Sequence, residues 1–416
     1  MLRAGHVVIL CVLALLMMGV IMVASADMVV RSVDADSPIA APVTVADMLS
    51  SRNMVYFVLA AAAMLASSTL PVRKLAAFAE HGLTGAGTPR SGLLGLGLGV
   101  FCIVAMCALV YVPGLSREVN GSRRWIQLPI GGEATSVQPS ELAKWGLVGL
   151  MAWYCARRER MLGSFWLGLV PALAGAGLVA GFIVLEDLGT GALIAMAAAI
   201  MLLAAGAKWW HFAALSPAPI AGFVLAITTS DYRTARIMAF VDPYKDPEGI
   251  GYHTVQSLIG VAGGGGFGRG LGFGMQKLGY LPEDRTDFVF AVLCEELGIP
   301  GAAVVVALFA TLIWAGFVIM RRENSTLLRL MCLGIIATVG LQATINIAVV
   351  TAMAPTKGIA LPLISAGGTG WILTAFSLGL LVGIERTQGV GSPIERMATA
   401  PMPVAAADHA PTAATA

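Results

Sequence analysis

Apolar runs of roughly the length of a bilayer-spanning helix recur along almost the whole chain, and they limit the possible fold more than any other feature. A helix needs about 20 mostly apolar residues to cross the hydrocarbon core of a membrane. Soluble domains carry about 25% charged residues, whereas only 12% of these 416 residues are charged. The sequence therefore predicts an all-α integral membrane protein with about ten transmembrane helices: Val7–Ala24, Met54–Leu70, Gly92–Val112, Leu142–Ala156, Ser164–Leu185, Gly189–Ala205, Phe212–Ile227, Ile299–Met320, Leu327–Met353 and Leu361–Ile384.

The distribution of lysine and arginine predicts how these helices are oriented. An even number of spans puts both termini on one side, and Lys and Arg concentrate in cytoplasmic connections. With a cytoplasmic N-terminus, most basic residues of the short connections fall inside: Arg73, Lys74, Arg90, Arg157, Arg158, Arg160, Lys208, Arg321 and Arg322. We therefore expect both termini in the cytoplasm, a membrane domain over residues 1–390, and a disordered tail over 391–416.

Composition and motif spacing exclude several classes of function. A net charge of +2 is too small to suggest a nucleic-acid partner. The six cysteines lie in or beside apolar runs and show no metal-ligand spacing. The glycine-rich stretch Gly260–Gly274 lacks the preceding strand that a nucleotide fingerprint requires. No cofactor is therefore evident from the sequence.

A polar loop that runs directly into apolar sequence brings Asp287 to the edge of the membrane. The loop ends the largest predicted outer connection, about residues 228–286, whereas most connections have about 4–6 residues. Because the stretch from Asp287 to Met320 is too long for one span, its first turns are predicted to lie at the interface or re-enter the protein. Aromatic neighbours would desolvate the carboxyl and raise its pKa towards that of a general base. Alternatively, Thr286 or Asp287 caps the following helix.

The other carboxylates near apolar sequence are interpreted as structural. Glu295 lies about 12 Å further along a helix than Asp287, beyond the roughly 5 Å carboxylate pair of a retaining glycosidase. We interpret Glu295 and Glu296 as buried partners of a cation or of helix ends, and favour a single base. The remaining supporting residues are Asp187, at a helix start, and Glu141 and Lys144, which share a helix face.

Basic and aromatic residues predicted on the outer side form a candidate phosphate-binding surface. Fixed cations would stabilise a leaving pyrophosphate, although basic residues also anchor proteins to lipid head groups. Trp125 likewise has two interpretations, a substrate contact or an aromatic residue of the membrane interface. The cations of this surface are Arg123, Arg124, Lys277, Arg285 and Lys357.

Collinear motifs cover nearly the whole membrane part of the chain. They are Asn120-Gly121-Ser122-Arg123-Arg124-Trp125-Ile126, Gln138-Pro139-Ser140-Glu141-Leu142-Ala143-Lys144, Asp187-Leu188-Gly189-Thr190, Gln276-Lys277-Leu278-Gly279-Tyr280-Leu281-Pro282-Glu283, Thr286-Asp287-Phe288, Glu295-Glu296-Leu297-Gly298, Pro355-Thr356-Lys357-Gly358 and Leu361-Pro362-Leu363-Ile364-Ser365. Together they resemble the SEDS family (shape, elongation, division and sporulation). Its members are polytopic peptidoglycan glycosyltransferases that pair with a class B penicillin-binding protein.

The resemblance implies roles for individual residues. The catalytic Asp of the family corresponds to Asp287, and the implied substrate-binding residues are Trp125, Arg123, Arg124, Lys277, Arg285, Thr286, Lys357 and Ser365. Pro355-Thr356-Lys357-Gly358 is more similar to the division branch of the family than to the elongation branch. The chain departs from the family pattern at Glu186, where Pro is usual, at Arg285, where His is usual, and at Ala366-Gly367-Gly368-Thr369-Gly370, where Tyr-Gly-Gly-Ser-Ser is usual.

The sequence thus predicts an enzyme of the bacterial cytoplasmic membrane that polymerises lipid II at the division septum. With Asp287 as a single base and no covalent carboxylate, one displacement would invert the anomeric centre. The implied partners are lipid II, a class B penicillin-binding protein and other division proteins, and a divalent cation (Mg²⁺ or Mn²⁺) would be compatible. The alternatives are a lipid II flippase, an elongation enzyme, or an inactive scaffold.

Overall fold

The computed structural model describes residues 3–33, 51–81, 89–112, 114–119, 122–130, 133–229, 231–356 and 358–388. The chain is predominantly helical in these ranges. The helices are α1 (Ala4–Val33), α2 (Arg52–Thr69), α3 (Val72–His81), α4 (Pro89–Ala108), α5 (Pro139–Arg157), α6 (Val170–Glu186), α7 (Leu188–Ala204), α8 (Trp209–Leu215), α9 (Pro217–Thr228), α10 (Asp231–Val241), α11 (Tyr252–Gly263), α12 (Val289–Arg321), α13 (Thr326–Val350) and α14 (Gly368–Thr387). The predicted tail 391–416 lies outside the described residues.

The helices confirm a multi-pass membrane protein. Within the described ranges, six are long and apolar enough to cross a bilayer by themselves, or seven if α2 and α3, bent by 66°, form one span. Helix α7 is apolar but only 17 residues long. Helix α5 carries the charged residues Glu141, Lys144 and Arg157. The predicted number of ten spans therefore stays a prediction.

Small residues allow helices α2 and α14 to pack closely against each other. A side chain at Gly379 would collide with the hydroxyl of Ser67 and the backbone of Met64. Helix α1 packs between α12 and α14, and its apolar residues contribute to one continuous buried core. This core supports the outward-bending connections that build the site.

Ion pairs and hydrogen bonds close the end of the bundle at which α14 finishes. Arg73 pairs with the buried Glu323 at 2.9 Å and donates to the carbonyl of Thr387 at 2.7 Å. The backbone N–H of Gly5 donates to the carboxylate of Glu385 at 2.8 Å. Both limits of the described chain therefore lie at this end, opposite to the site.

A three-stranded antiparallel sheet, which the sequence analysis does not predict, lies between α4 and α5. Its strands are β1 (Ser116–Val119), β2 (Ser122–Ile130) and β3 (Glu133–Val137), with β2 in the centre. Arg117 pairs with Trp125 and Ile126 pairs with Val137 across the sheet. The sheet fixes the positions of Arg124 and Trp125 at the end opposite to Glu323.

The long helix α12 is broken near its start. Gly298 has φ 61° and ψ −157°, a conformation outside the helical region, and Pro300 follows it. The residues from Val289 to Glu296 are buried on every side. These first turns therefore lie within the protein, before the break at Gly298; their predicted position, at the membrane interface or re-entering the protein, stays a prediction.

Candidate active site

A cavity of about 720 Å³ opens at the end of the bundle that carries the sheet. Its walls come from β2, the α6–α7 junction, α10, the loop before α12, and the connection from α13 to α14. Seven of the predicted site residues line it: Arg124, Trp125, Glu141, Asp187, Thr286, Asp287 and, in the last connection, Ser365. Thus elements far apart in sequence place their polar side chains around one space.

The carboxyl of Asp287 lines this cavity and has no hydrogen-bonding or ion-pair partner among the described residues. No hydrogen bond or ion pair reaches it from the described part of the chain, whereas its backbone carbonyl accepts a hydrogen bond from Asn346 at 2.8 Å. The N-cap position of α12 is Phe288, and no side-chain hydrogen bond caps that helix. The structure therefore does not support the alternative that Thr286 or Asp287 is a helix cap.

The surroundings of Asp287 raise the pKa of its carboxyl to about 7. Burial is the main cause, because it disfavours the charged form, and the negative charges of Glu283 and Asp187 add to it. The positive charges of Arg124 and Arg236 act in the opposite direction. A carboxyl with this pKa can exchange a proton near neutral pH, as a general base must.

The α6–α7 junction holds Arg124 beside the cavity. Asp187 caps α7, with one carboxylate oxygen accepting from the N–H groups of Gly189 and Thr190 at 3.0 and 3.1 Å. Arg124 donates to the carbonyl of Glu186 at 3.0 Å and lies 3.9 Å from the Asp187 carboxylate. The unusual Glu186 therefore contributes through its backbone to the position of Arg124.

Two charged residues of the cavity, Arg236 and Glu283, are not among the site residues predicted from the sequence. Arg236 comes from α10 and donates to the carbonyl of Thr356 at 3.2 Å, which links α10 to the last connection. Glu283 has a positive φ of 57° and accepts a hydrogen bond from the hydroxyl of Thr286 at 2.8 Å. An arginine in a connection predicted to lie outside violates the inside preference of basic residues, and this signal could have identified Arg236.

Buried amides on α13 hold the last connection in place. Asn346 donates to the carbonyl of Ile359 at 2.7 Å as well as to that of Asp287. Gln342 donates to the carbonyl of Ala360 at 2.9 Å. The hydroxyl of Ser365 accepts from the N–H of Leu361 at 2.7 Å, so it stabilises the turn that forms this wall.

Lys144 lies beneath the cavity rather than in it. Its ammonium donates to the carboxylate of Glu141 at 2.8 Å and to the amide oxygen of Gln342 at 2.9 Å. The side chain of Glu141 reaches the cavity wall. The hydrogen bond from Lys144 to Gln342 thus connects α5 to α13, and the charged pair within α5 supports the floor of the cavity.

Lys277 is not where a substrate-binding residue would be. Its ammonium is buried and pairs with the buried carboxylate of Glu296 at 2.7 Å, and it also donates to the hydroxyl of Ser25 at 2.8 Å. A lysine among apolar helices is held by such a partner because an unpaired charge there is costly. The observed contacts of Lys277 are structural and do not support the prediction that it contacts the substrate, which stays a prediction.

Arg285 is also displaced from the predicted role. Its guanidinium pairs with Asp27 of α1 at 2.6 Å and lies outside the residues that line the cavity. Its backbone carbonyl accepts from the N–H of Ala366 at 2.8 Å. The arginine that replaces the usual histidine thus joins α1 and the last connection to the loop of Asp287, and its predicted role in substrate binding stays a prediction.

Two predicted residues and the predicted cation remain without a structural placement. Lys357 lies outside the described residues, and only the backbone of Arg123, within β2, is described. Over the described ranges, no group of three or more His, Cys, Asp or Glu side chains is arranged to hold a metal ion. The oxygens of Asp187 and Glu141 are engaged in a helix cap and an ion pair. The described residues therefore do not form a binding site for a divalent cation.

The fold and the cavity together define a polytopic membrane protein with a polar, carboxylate-bearing chamber at one end of its helices. The chain belongs to the Cell cycle protein family of FtsW, RodA and SpoVE, whose sequence pattern matches residues 6–389. The resemblance seen in the motifs is therefore confirmed, and the family is the FtsW type of peptidoglycan glycosyltransferase.

Three curated relatives illustrate the similarity. The probable peptidoglycan glycosyltransferase FtsW of Halomonas elongata is 42% identical over 288 residues, 68% of this chain and 71% of the relative. That of Thioalkalivibrio sulfidiphilus is 36% identical over 389 residues, 92% and 90% of the two chains. Stage V sporulation protein E of Bacillus subtilis is 38% identical over 291 residues, 69% and 77%.

Solved structures share the fold. A chain from a study of structural coordination of polymerization and crosslinking by a peptidoglycan synthase complex matches with a TM-score of 0.65 at 23% identity, covering 92% of this chain and 98% of that one. The rod shape determining protein RodA of Thermus thermophilus matches with a TM-score of 0.58 at 21% identity, covering 92% and 96%. The same helical architecture thus extends over nearly the whole length of both proteins.

Proposed function

We propose that this protein polymerises lipid II into glycan strands, with Asp287 as the general base. The observation that supports this best is the carboxyl of Asp287, which has no partner among the described residues, in a cavity of about 720 Å³ and with a pKa raised to about 7. Ligand sites commonly have volumes of about 300–1,000 Å³. The names of the FtsW relatives support the same reaction class.

In this reaction, Asp287 would accept the proton from a hydroxyl of the acceptor sugar. The hydroxyl oxygen then forms a bond to the anomeric carbon of the donor, and the bond from that carbon to the lipid pyrophosphate breaks. The bonding electron pair leaves with the pyrophosphate oxygen. One displacement inverts the anomeric centre, as in other sugar transfers that use a base without a covalent carboxylate.

Arg236 and Arg124 are the residues to which we assign the leaving pyrophosphate. They are the basic side chains among the described residues of the cavity wall, and they come from separate elements, α10 and β2. A guanidinium presents paired N–H donors that match phosphate oxygens. Both lie close enough to Asp287 to lower the pKa of its carboxyl, so the base and the leaving group would share one chamber.

We predict a pH dependence of kcat/KM that is controlled by Asp287. Because the base acts in its deprotonated form, kcat/KM should fall as the pH is lowered through about 7, the pKa of this carboxyl. Glu283→Gln removes a negative charge that raises the pKa, so the inflection should move to lower pH. Arg236→Gln removes a positive charge and should move it to higher pH. Polymerisation rates in a series of buffers measure both shifts, and an inflection unaffected by either variant would contradict the assignment of Asp287.

We also propose a role in division, at the septum, with a class B penicillin-binding protein as partner. The Pro355–Gly358 motif and the FtsW relatives support this branch, and a peptidoglycan synthase complex is among the structural matches. Lys and Arg at the Glu323 end would face the cytoplasm, so the cavity would open outside. A fluorescent fusion should localise to midcell; a signal along the side wall would instead indicate the elongation role.

A further inference from the structure

Two buried glutamates hold the glycine-rich segment Gly264–Met275 against the broken start of α12. Arg269 and Gly270 donate their backbone N–H groups to the carbonyls of Glu295 and Glu296, both at 2.9 Å. The carboxylates of the same two glutamates accept four more backbone hydrogen bonds, at 2.9 to 3.3 Å, from Gly272, Gly274, Met275 and Gln276. The irregular backbone of the segment is thus hydrogen-bonded without a strand or a helix.

The charges of both glutamates are balanced inside the protein. Arg269 pairs with Glu295 at 3.0 Å and Lys277 pairs with Glu296 at 2.7 Å. Non-helical backbone is tolerated at membrane depth only where protein groups satisfy its hydrogen bonds. The arrangement meets that requirement, because the carboxylates supply acceptors and the cations remove the net charge.

The glycines let the segment lie directly on the α12 backbone. Gly268 has φ +80°, and a Cβ atom there would collide with the carbonyl of Glu296. A Cβ atom on Gly298 would likewise meet the backbone of Phe267 and Gly268. Phe267 therefore lies at the level of the helix break, immediately before the apolar span.

The side chains that the segment exposes are mostly apolar, and its exposed cation, Arg269, pairs with Glu295. Phe267 is 90% exposed and Phe273 is 75% exposed, and Leu271 and Met275 are about half exposed. This surface continues onto α12, where Ile299 is exposed directly after the break. Contiguous apolar surface of this kind marks an interaction site rather than a face in contact with water.

The length of α12 gives the depth of this surface. From Gly298 to Arg321 the helix extends about 35 Å at about 1.5 Å per residue, and the hydrocarbon core is about 30 Å thick. With Arg321 at one head-group layer, as basic residues at helix ends are usually placed, the break at Gly298 stands at the opposite boundary of the hydrocarbon. Phe267 and Phe273 then lie where lipid acyl chains begin.

We propose that the glycine-rich segment is a membrane-inserted wedge whose Phe267, Leu271, Phe273 and Met275 side chains contact lipid acyl chains in the leaflet on the cavity side. The depth of Gly298 and the continuity with the exposed face of the α12 span favour lipid over a protein partner. The wedge leads through Lys277 into the loop of Asp287. The wedge would thereby fix the position of that loop relative to the membrane boundary.

The test uses the full chain, alone, in nanodiscs of phosphatidylcholine and phosphatidylglycerol. In a Cys102→Ser background, which removes the exposed native thiol, Phe267→Cys and Phe273→Cys each carry an environment-sensitive fluorophore. Glu248→Cys, at an exposed position between α10 and α11, is the matched control. We expect the labels at 267 and 273 to be quenched by acyl-chain nitroxides and shielded from iodide, and the label at 248 to show the reverse.

Two results would contradict the proposal that this segment is inserted into the membrane. One is iodide quenching at positions 267 and 273 as strong as at position 248. The other is shielding that appears only after a transpeptidase is added, which would identify a protein as the occupant. Neither measurement depends on polymerisation, so a failure of the proposed enzyme activity would remain distinguishable from a failure of this inference.

Discussion

Asp287→Asn should reduce lipid II polymerisation by about 10²- to 10⁴-fold, the usual contribution of a positioned general base. The substitution keeps the size of the side chain but removes its ability to accept a proton at neutral pH. Because the carboxyl makes no hydrogen bond within the described residues, folding should be little affected. The assay supplies labelled lipid II to the protein purified with its transpeptidase partner and resolves the glycan polymer by electrophoresis.

Asp284→Asn is the matched control for this experiment. Asp284 lies in the same loop, and burial raises the pKa of its carboxyl to about 6, but it lies outside the residues that line the cavity. Its polymerisation rate should stay near that of the wild type. Normal polymer from Asp287→Asn would refute the base, and transbilayer movement of labelled lipid II without any polymer would instead favour a flippase.

Lys277→Met should lower the free energy of unfolding by about 3–5 kcal/mol, the usual cost of leaving one member of a buried ion pair alone. The carboxylate of Glu296 would lose its cation while remaining buried beside Ser25. Thermal unfolding followed by fluorescence-detected gel filtration measures the loss. Because Lys277 lies outside the cavity wall, KM for lipid II in the folded fraction should not change.

Two further variants separate structure from substrate binding at Lys277. Lys245→Met removes an exposed lysine from the loop after α10 and should not alter stability. Lys277→Met combined with Glu296→Gln removes both charges and should recover part of the loss. Normal stability with a raised KM in Lys277→Met would contradict the structural role and restore the original prediction.

The apolar runs, and the position of Asp287 next to one of them, could be identified from the sequence because both are features of local sequence. The length and hydropathy of a span are set by the bilayer, and a carboxylate next to such a span is expensive wherever the chain folds. The excess length before Met320 similarly indicated that this stretch is not one regular span, and α12 is broken at Gly298. These features do not require knowledge of which segments meet.

The residues that were missed or misplaced depend on contacts between distant segments. Lys277 has the same sequence context as an exposed cation, and only the return of the chain along α12 brings Glu296 to it. Arg236 reaches the cavity because α10 folds back towards the last connection. The sheet had a local signal, since Asn120-Gly121 is typical of a tight hairpin, but the residues on either side of this pair are mixed in polarity.

Asn346 couples the positions of two walls of the cavity, the loop of Asp287 and the connection after α13. Its single amide nitrogen donates both to the carbonyl of Asp287 and to that of Ile359. A ligand that displaces the connection after α13 would therefore also act on the backbone of Asp287 through this amide. Binding against that wall of the cavity would in this way be coupled to the position of the Asp287 carboxyl.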